Sequence, residues 1–172
     1  MRLCRWMVGA AALVCAAGCN KTLPMNDSDR AAIADSVSQV ATQWLASFSA
    51  RPTIENYLAA HVRGEDWVHA EYGMIYPTYD STVKAATAGL RGLVSFPITP
   101  SQKRVTVLDR DVVVFTCLVD GAMKDSAGKE TPFHEAWTAV YHRTADGWKI
   151  AADHESTAPP APAPAKPKRR AR

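Results

Sequence analysis

Apolar residues recur in a helical rhythm near the start of the chain. Ile33, Val37, Val40, Trp44 and Phe48 follow one another at steps of four, three, four and four. That spacing makes one stripe of an amphipathic helix. Asp27 or Ser28 can cap it, by accepting a hydrogen bond from a free first-turn amide, and it ends near Ser49. Pro52 suits the first turn of a second helix, with Ile54, Tyr57, Leu58 and His61 along one side and Gly64 as the stop. Residues 67–79 read as extended, with a bend at Gly73 and Pro77. A third helix follows over residues 82 to about 94, capped by Asp80 or Ser81 and weakened by Gly89 and Gly92. Pro97 and Pro100 mark a loop.

From Lys103 the period changes to two. Strands are expected over residues 104–109, 112–121, 134–143 and 148–156, with turns at Asp109-Arg110-Asp111, Ser126-Ala127-Gly128 and Ala145-Asp146-Gly147. Residues 112–119 are apolar on both faces. Helices first and consecutive strands last argue an α+β domain over residues 28–157, with three N-terminal helices packed on a curved antiparallel sheet. Strict alternation puts Trp148, Ile150, Ala152, His154 and Ser156 on one face. A two-residue loop would pair Trp137 with His154; a three-residue loop would pair Thr138 with it. The first is favoured, because it gathers aromatic residues on the helix-covered side.

The ends of the chain differ in composition from this domain. Arg2 and Arg5 precede an uncharged apolar run, residues 6–17, too short to span a bilayer. Small residues Ala16-Ala17-Gly18 come before Cys19. This is a signal-peptide pattern over residues 1–18. Its end resembles the lipobox of bacterial lipoproteins, with Ala16 where Leu is usual. The resemblance implies lipidation at Cys19, a tether over residues 19–27 and a domain held at the periplasmic side of the cell envelope. The competing reading is a cleaved signal with a soluble product.

Residues 158–172 alternate Pro and Ala and then turn basic. They cannot bury a core, and are expected to be disordered or partly polyproline II. The tail reads either as a solvated end or as an adhesive for an anionic envelope surface. The net charge of +3 is misleading: the tail carries +5 and the signal +2, which leaves −4 for the body. An acidic body argues against nucleic acid as a partner. Cys4 and Cys15 would leave with the signal and Cys19 would carry lipid. Cys117 then has no disulfide partner, and reads as a small core residue.

The element order and one set of motifs resemble the NTF2-like superfamily, in its SnoaL-like and ketosteroid-isomerase-like branches. The motifs are Trp137-Thr138-Ala139-Val140-Tyr141-His142-Arg143, then Asp146-Gly147-Trp148-Lys149-Ile150, then His154-Glu155-Ser156. The resemblance implies a cone whose wide end holds a cavity. Two positions depart from relatives. Ala139 stands where the association domain of calcium/calmodulin-dependent kinase has Arg, and Ala152 where many relatives have a second His. No Asp aligns with the isomerase's catalytic base; Asp66 and Asp80 are nearest, and read more simply as a turn residue and a helix cap.

His154 is the candidate acid–base residue, since imidazole titrates near neutrality; it also reads as a structural His at the cavity rim. Tyr57, Trp67, Tyr76, Tyr79, Trp137 and His154 are candidates to line a small-molecule pocket, and core packing explains the aromatic ones equally well. His69 and Glu71 share a strand face and could form a polar cluster or a solvated surface. His61 reads as partly buried packing. His134 and His142 are too far apart along one strand to share a metal, and no metal-binding or phosphate-loop spacing is present, so neither metal nor cofactor is expected. The two-faced apolar strand predicts a homodimer. The leading functional expectation is a non-catalytic envelope module for a small apolar ligand or a partner. The alternative is an isomerase- or dehydratase-type enzyme acting on a small hydrophobic substrate.

Overall fold

The computed structural model describes residues 24–64 and 67–157. Signal, lipidation site, most of the tether, Asp66 and the basic tail lie outside them.

Helix α1, Asp27–Ala50, starts one residue before the expected caps: Asn26 accepts the Asp29 amide at 2.7 Å. Asp27 and Asp29 sit in its first turn, where the helix dipole favours acids. Its buried stripe is Ile33, Val37, Ala41, Leu45 and Phe48; the expected Val40 and Trp44 are half-buried beside it. Helix α2, Ile54–Leu58, is a short turn capped by Thr53, so Pro52 precedes the cap and His61 lies beyond the helix. Backbone bonds Ile150 N–H to Ala60 O (2.7 Å) and Val62 N–H to Ile150 O (2.9 Å) instead hold His61 in extended form beside the sheet.

Strands β1, Val68–Glu71, and β2, Met74–Tyr76, form a hairpin. Its turn places Tyr72 and Gly73 at φ 48° and 76°, the left-handed pair that a tight hairpin needs. Helix α3, Tyr79–Gly89, begins three residues before the expected start, because Thr78 and Ser81 close a reciprocal capping box. It ends at the first of its two glycines. Residues 93 and 94, expected to be helical, lie in strand β3, Leu93–Ser95. Strands β4, Ile98–Asp109, β5, Val112–Asp125, β6, Glu130–Thr144, and β7, Gly147–Thr157, are all longer than alternation suggested.

The fold is α+β, with a curved seven-stranded sheet in the order β2-β1-β7-β6-β5-β3 and β4 also paired to β5. Two expectations need correction. Among the described residues, two helices precede the first strands; the third follows the β1–β2 hairpin. The sheet is also not wholly antiparallel: β1 runs parallel to β7, with His69 opposite Asp153. No hairpin constrains that pair, since the two strands are far apart in sequence. Val113, Phe115, Cys117 and Val119 of β5 bury their side chains with α1, while Val112, Val114, Thr116 and Leu118 on the other face stay half-buried.

Candidate active site

The site depends on one extra residue in β7. The β6–β7 turn is the two-residue loop, with Thr144 opposite Gly147 and Tyr141 opposite Ile150. Gly147 takes φ 94°, open to glycine without strain. Beyond Ile150 the register slips: Val140 faces Ala152, so Ala151 is a bulge. A bulge leaves one residue unpaired and re-aims those after it. Trp148 and Ile150 point into the core, and after the bulge Asp153 and Glu155 do so in place of Ala152 and His154. Trp137 therefore pairs with Glu155, and Thr138 with His154.

His154 is exposed on the outer face. The expected pairing of Trp137 with His154 fails although the expected turn is present, because the bulge intervenes.

On the inner face, Asp153 gathers polar groups from three parts of the chain. His69 Nδ1 lies 2.6 Å from its Oδ1. Trp137 Nε1 donates to Oδ2 at 3.3 Å. His61 Nε2 stands 3.9 Å from Oδ2. His61 Nδ1 is 2.6 Å from the Tyr57 carbonyl, which can only accept, so that nitrogen carries a proton. On its far side His69 Nε2 lies 3.7 Å from Glu71 Oε1. Tyr76 stacks on the His69 ring at 5.6 Å, and Trp67 meets His61 edge-on at 4.7 Å.

Burial dominates the electrostatics, and the pairing then decides their direction. Burial alone would raise the Asp153 carboxyl, but the two histidines hold it down to about 2. Burial alone would lower His69, but its bonds to Asp153 and Glu71 carry it up to about 10. His69 is thus an imidazolium at neutral pH, locked to a carboxylate. Glu155 lacks such a partner. Burial, and then the charges of Glu135 and Asp153, push it up to about 8. Burial, then Glu71, also raises Glu135. The Tyr57 phenol is raised well above its usual range by burial and by Asp153, Glu155 and Glu71, and so stays a neutral hydroxyl.

These groups border a cavity of about 210 Å³ between the sheet and α3. His69, Glu71, Glu135, Glu155 and Tyr57 form its polar part, and Phe48, Leu90, Leu93, Phe96, Met123 and Phe133 its apolar part. Of the sequence candidates, Tyr57 lines this cavity. Trp67 and Trp137 are buried behind it, with Trp67 Nε1 donating to Thr82 Oγ1 at 2.7 Å. Tyr76 backs His69, and Tyr79 packs against the core. His134 pairs with Asp120 at 2.6 Å at the surface, and His142 is exposed. Asp80 lies in the first turn of α3. Cys117 is buried, which pushes its thiol up to about 11 and leaves it a poor nucleophile. Among the described residues, no three His, Cys, Asp or Glu are arranged to hold a metal ion.

Sequence reasoning missed Asp153, Glu155 and Glu135 as site residues. The first two flank His154 directly, and only the bulge decides which of the three points inward.

Solved structures similar to this chain share the fold at low identity. A ketosteroid isomerase-like protein from Erwinia carotovora atroseptica is 18% identical with a TM-score of 0.61, over 74% of this chain and 97% of that one. A proposed dehydratase of the NTF2-like family from Streptomyces avermitilis is 15% identical with a TM-score of 0.66, over 76% and 99%. A proposed scytalone dehydratase from Novosphingobium aromaticivorans is 9% identical with a TM-score of 0.67, over 77% and 88%. Among curated proteins, none matches. The family model described as "SnoaL-like domain" matches residues 37–162. With that match over most of its length, and with the NTF2-like fold around a cavity, the chain belongs to the SnoaL-like domain family.

Proposed function

We propose that the domain is an acid–base enzyme of the isomerase or dehydratase type, acting on a small hydrophobic carbonyl compound. The observation that carries this reading is His69, paired with Asp153 behind it, on the wall of the same cavity as Glu155. Groups with protonation equilibria pushed apart in one site are suited to divide acid and base roles. Asp153 orients His69 and keeps it charged. The His69 imidazolium holds the substrate oxygen. Glu155, poised near neutrality, takes a proton from the carbon beside the carbonyl. The C–H electron pair moves toward the oxygen, where His69 and the Tyr57 hydroxyl stabilise the enolate. Glu155 then returns the proton to another carbon in an isomerisation. In an elimination, a β-hydroxyl leaves as water with that proton. No cofactor is required.

The test is hydrogen–deuterium exchange at the α-carbon of small cyclic ketones, followed by NMR. Exchange catalysed by the protein and lost in Glu155→Gln supports the proposal. Ketones that bind without exchange would instead support the non-catalytic ligand-binding module.

The setting is also a proposal. Residues 1–18 act as an export signal, Cys19 carries lipid at the periplasmic face, and the basic tail adheres to anionic envelope material. Mass analysis of the native product should find acyl groups on Cys19; an unprocessed Met1 would refute it. The half-buried outer face of β5, with Val112, Val114 and Leu118, supports a homodimer. Light scattering on the chain without its signal should give twice the monomer mass.

A further inference from the structure

Glu135 takes no part in the proton transfer proposed above, although its charge helps to raise Glu155. It is 7% exposed, on β6 between Trp137 and Phe133 along the inner face. It lines the cavity, and its Oε2 has no hydrogen-bond partner among the described residues. An isolated buried carboxylate is costly unless something pairs with it. Its companions make this worse. Glu71 and Glu155 line the same space, no Lys or Arg among the described residues does, and the one cation, His69, is already bound to Asp153.

The remaining walls near Glu135 are aromatic. Phe133 lies two residues along β6, stacked on Phe96 at 5.2 Å, and Phe48 meets Phe96 edge-on at 5.4 Å. Aromatic faces attract cations, the more so away from water. A small space with unpaired carboxyl groups and ring walls is complementary to a protonated nitrogen on an apolar body. It disfavours anions, which would face three carboxyl groups. The cavity of about 210 Å³ is below the roughly 300–1,000 Å³ of drug-sized sites, so the body is small.

We infer that the cavity takes a small organic cation, an ammonium group on an apolar ring, with the unpaired Glu135 carboxyl as its partner. This rests on the cavity being the ligand site proposed above, and does not depend on turnover. An ammonium beside Glu135 would leave the ring among Phe96, Phe133 and Leu93, and the rest of the molecule toward His69 and Glu155.

The test compares three probes of matched shape on the full chain by calorimetry: phenethylamine, phenethyl alcohol and hydrocinnamate. The amine is expected to bind at least about tenfold more tightly than the alcohol, with the carboxylate weakest. Glu135→Gln should cut amine affinity by about tenfold and leave alcohol affinity within about twofold. A cooperative melting transition would confirm that the variant folds; should it not fold, Phe133→Leu provides a second test, by weakening the amine more than the alcohol. Equal affinities, a preference for the alcohol or the carboxylate, or no amine binding at millimolar concentration would overturn the inference. Exchange on a neutral ketone under those same conditions would leave the catalytic proposal standing.

Discussion

His69 and Asp153 meet at 2.6 Å although 84 residues separate them in the chain. The parallel pairing of β1 with β7 sets them opposite each other, and the Ala151 bulge turns the carboxylate inward. Both side chains are almost fully buried, so neither can lose its partner without cost.

Asp153→Asn removes the charge and keeps the shape. The buried His69 cation then keeps only Glu71 as a partner, and stability should fall by about 3 kcal/mol in denaturant titration. His69 should then hold its proton less tightly, because burial would be opposed by Glu71 but no longer by Asp153.

His154→Ala should change stability by less than about 0.5 kcal/mol and leave activity intact, since the side chain is exposed on the outer face. His69→Ala should abolish activity. Equal losses in the two variants would contradict the inward and outward assignments on β7.

The stability profile should peak near pH 4–5. Asp153, lowered from 3.8 to about 2, contributes stability that is lost as pH falls through that range. Glu155, raised from 4.5 to about 8, keeps a proton that the unfolded chain has released, so stability declines as pH rises between those values. His69, raised from 6.5 to about 10, adds a further decline over its own window. Glu155→Gln should remove the Glu155 share of the decline, about 2 kcal/mol after allowing for water in the cavity, and leave the His69 share that begins near pH 6.5. Thermal melts across pH would read it.

Gly121 allows β5 to pass close under Phe133. A methyl at this position would sit 2.5 Å from the Phe133 ring and 2.6 Å from the Pro97 carbonyl oxygen. Gly121→Ala should therefore cost about 1–3 kcal/mol and push Phe133 toward the cavity, weakening ligand binding.

Much of the fold was legible because its periods are strong. The helical period of α1, the two-faced apolar run of β5 and the Asp146-Gly147 turn each have one cheap solution, and the final two strands carry the family resemblance. The site was harder to read. Asp153, His154 and Glu155 are three adjacent residues that could each carry chemistry, and strict alternation selects His154. The bulge that selects the other two falls at Ala151-Ala152, which has no Gly, Pro or charge to mark it. Ala139, where the resemblance implies Arg in some relatives, lies directly opposite Asp153. His61 looked like helix packing because only the hydrogen bonds to Ile150 show that the chain has left α2 by then.

Nitrogen-15 NMR of the histidine rings across pH would report most directly on the paired centre. The account predicts that one buried ring, assigned by its loss in His69→Ala, stays an imidazolium from pH 5 to beyond pH 9, near its expected midpoint of about 10. A His69 ring that titrates near the ordinary value of 6.5 would contradict it.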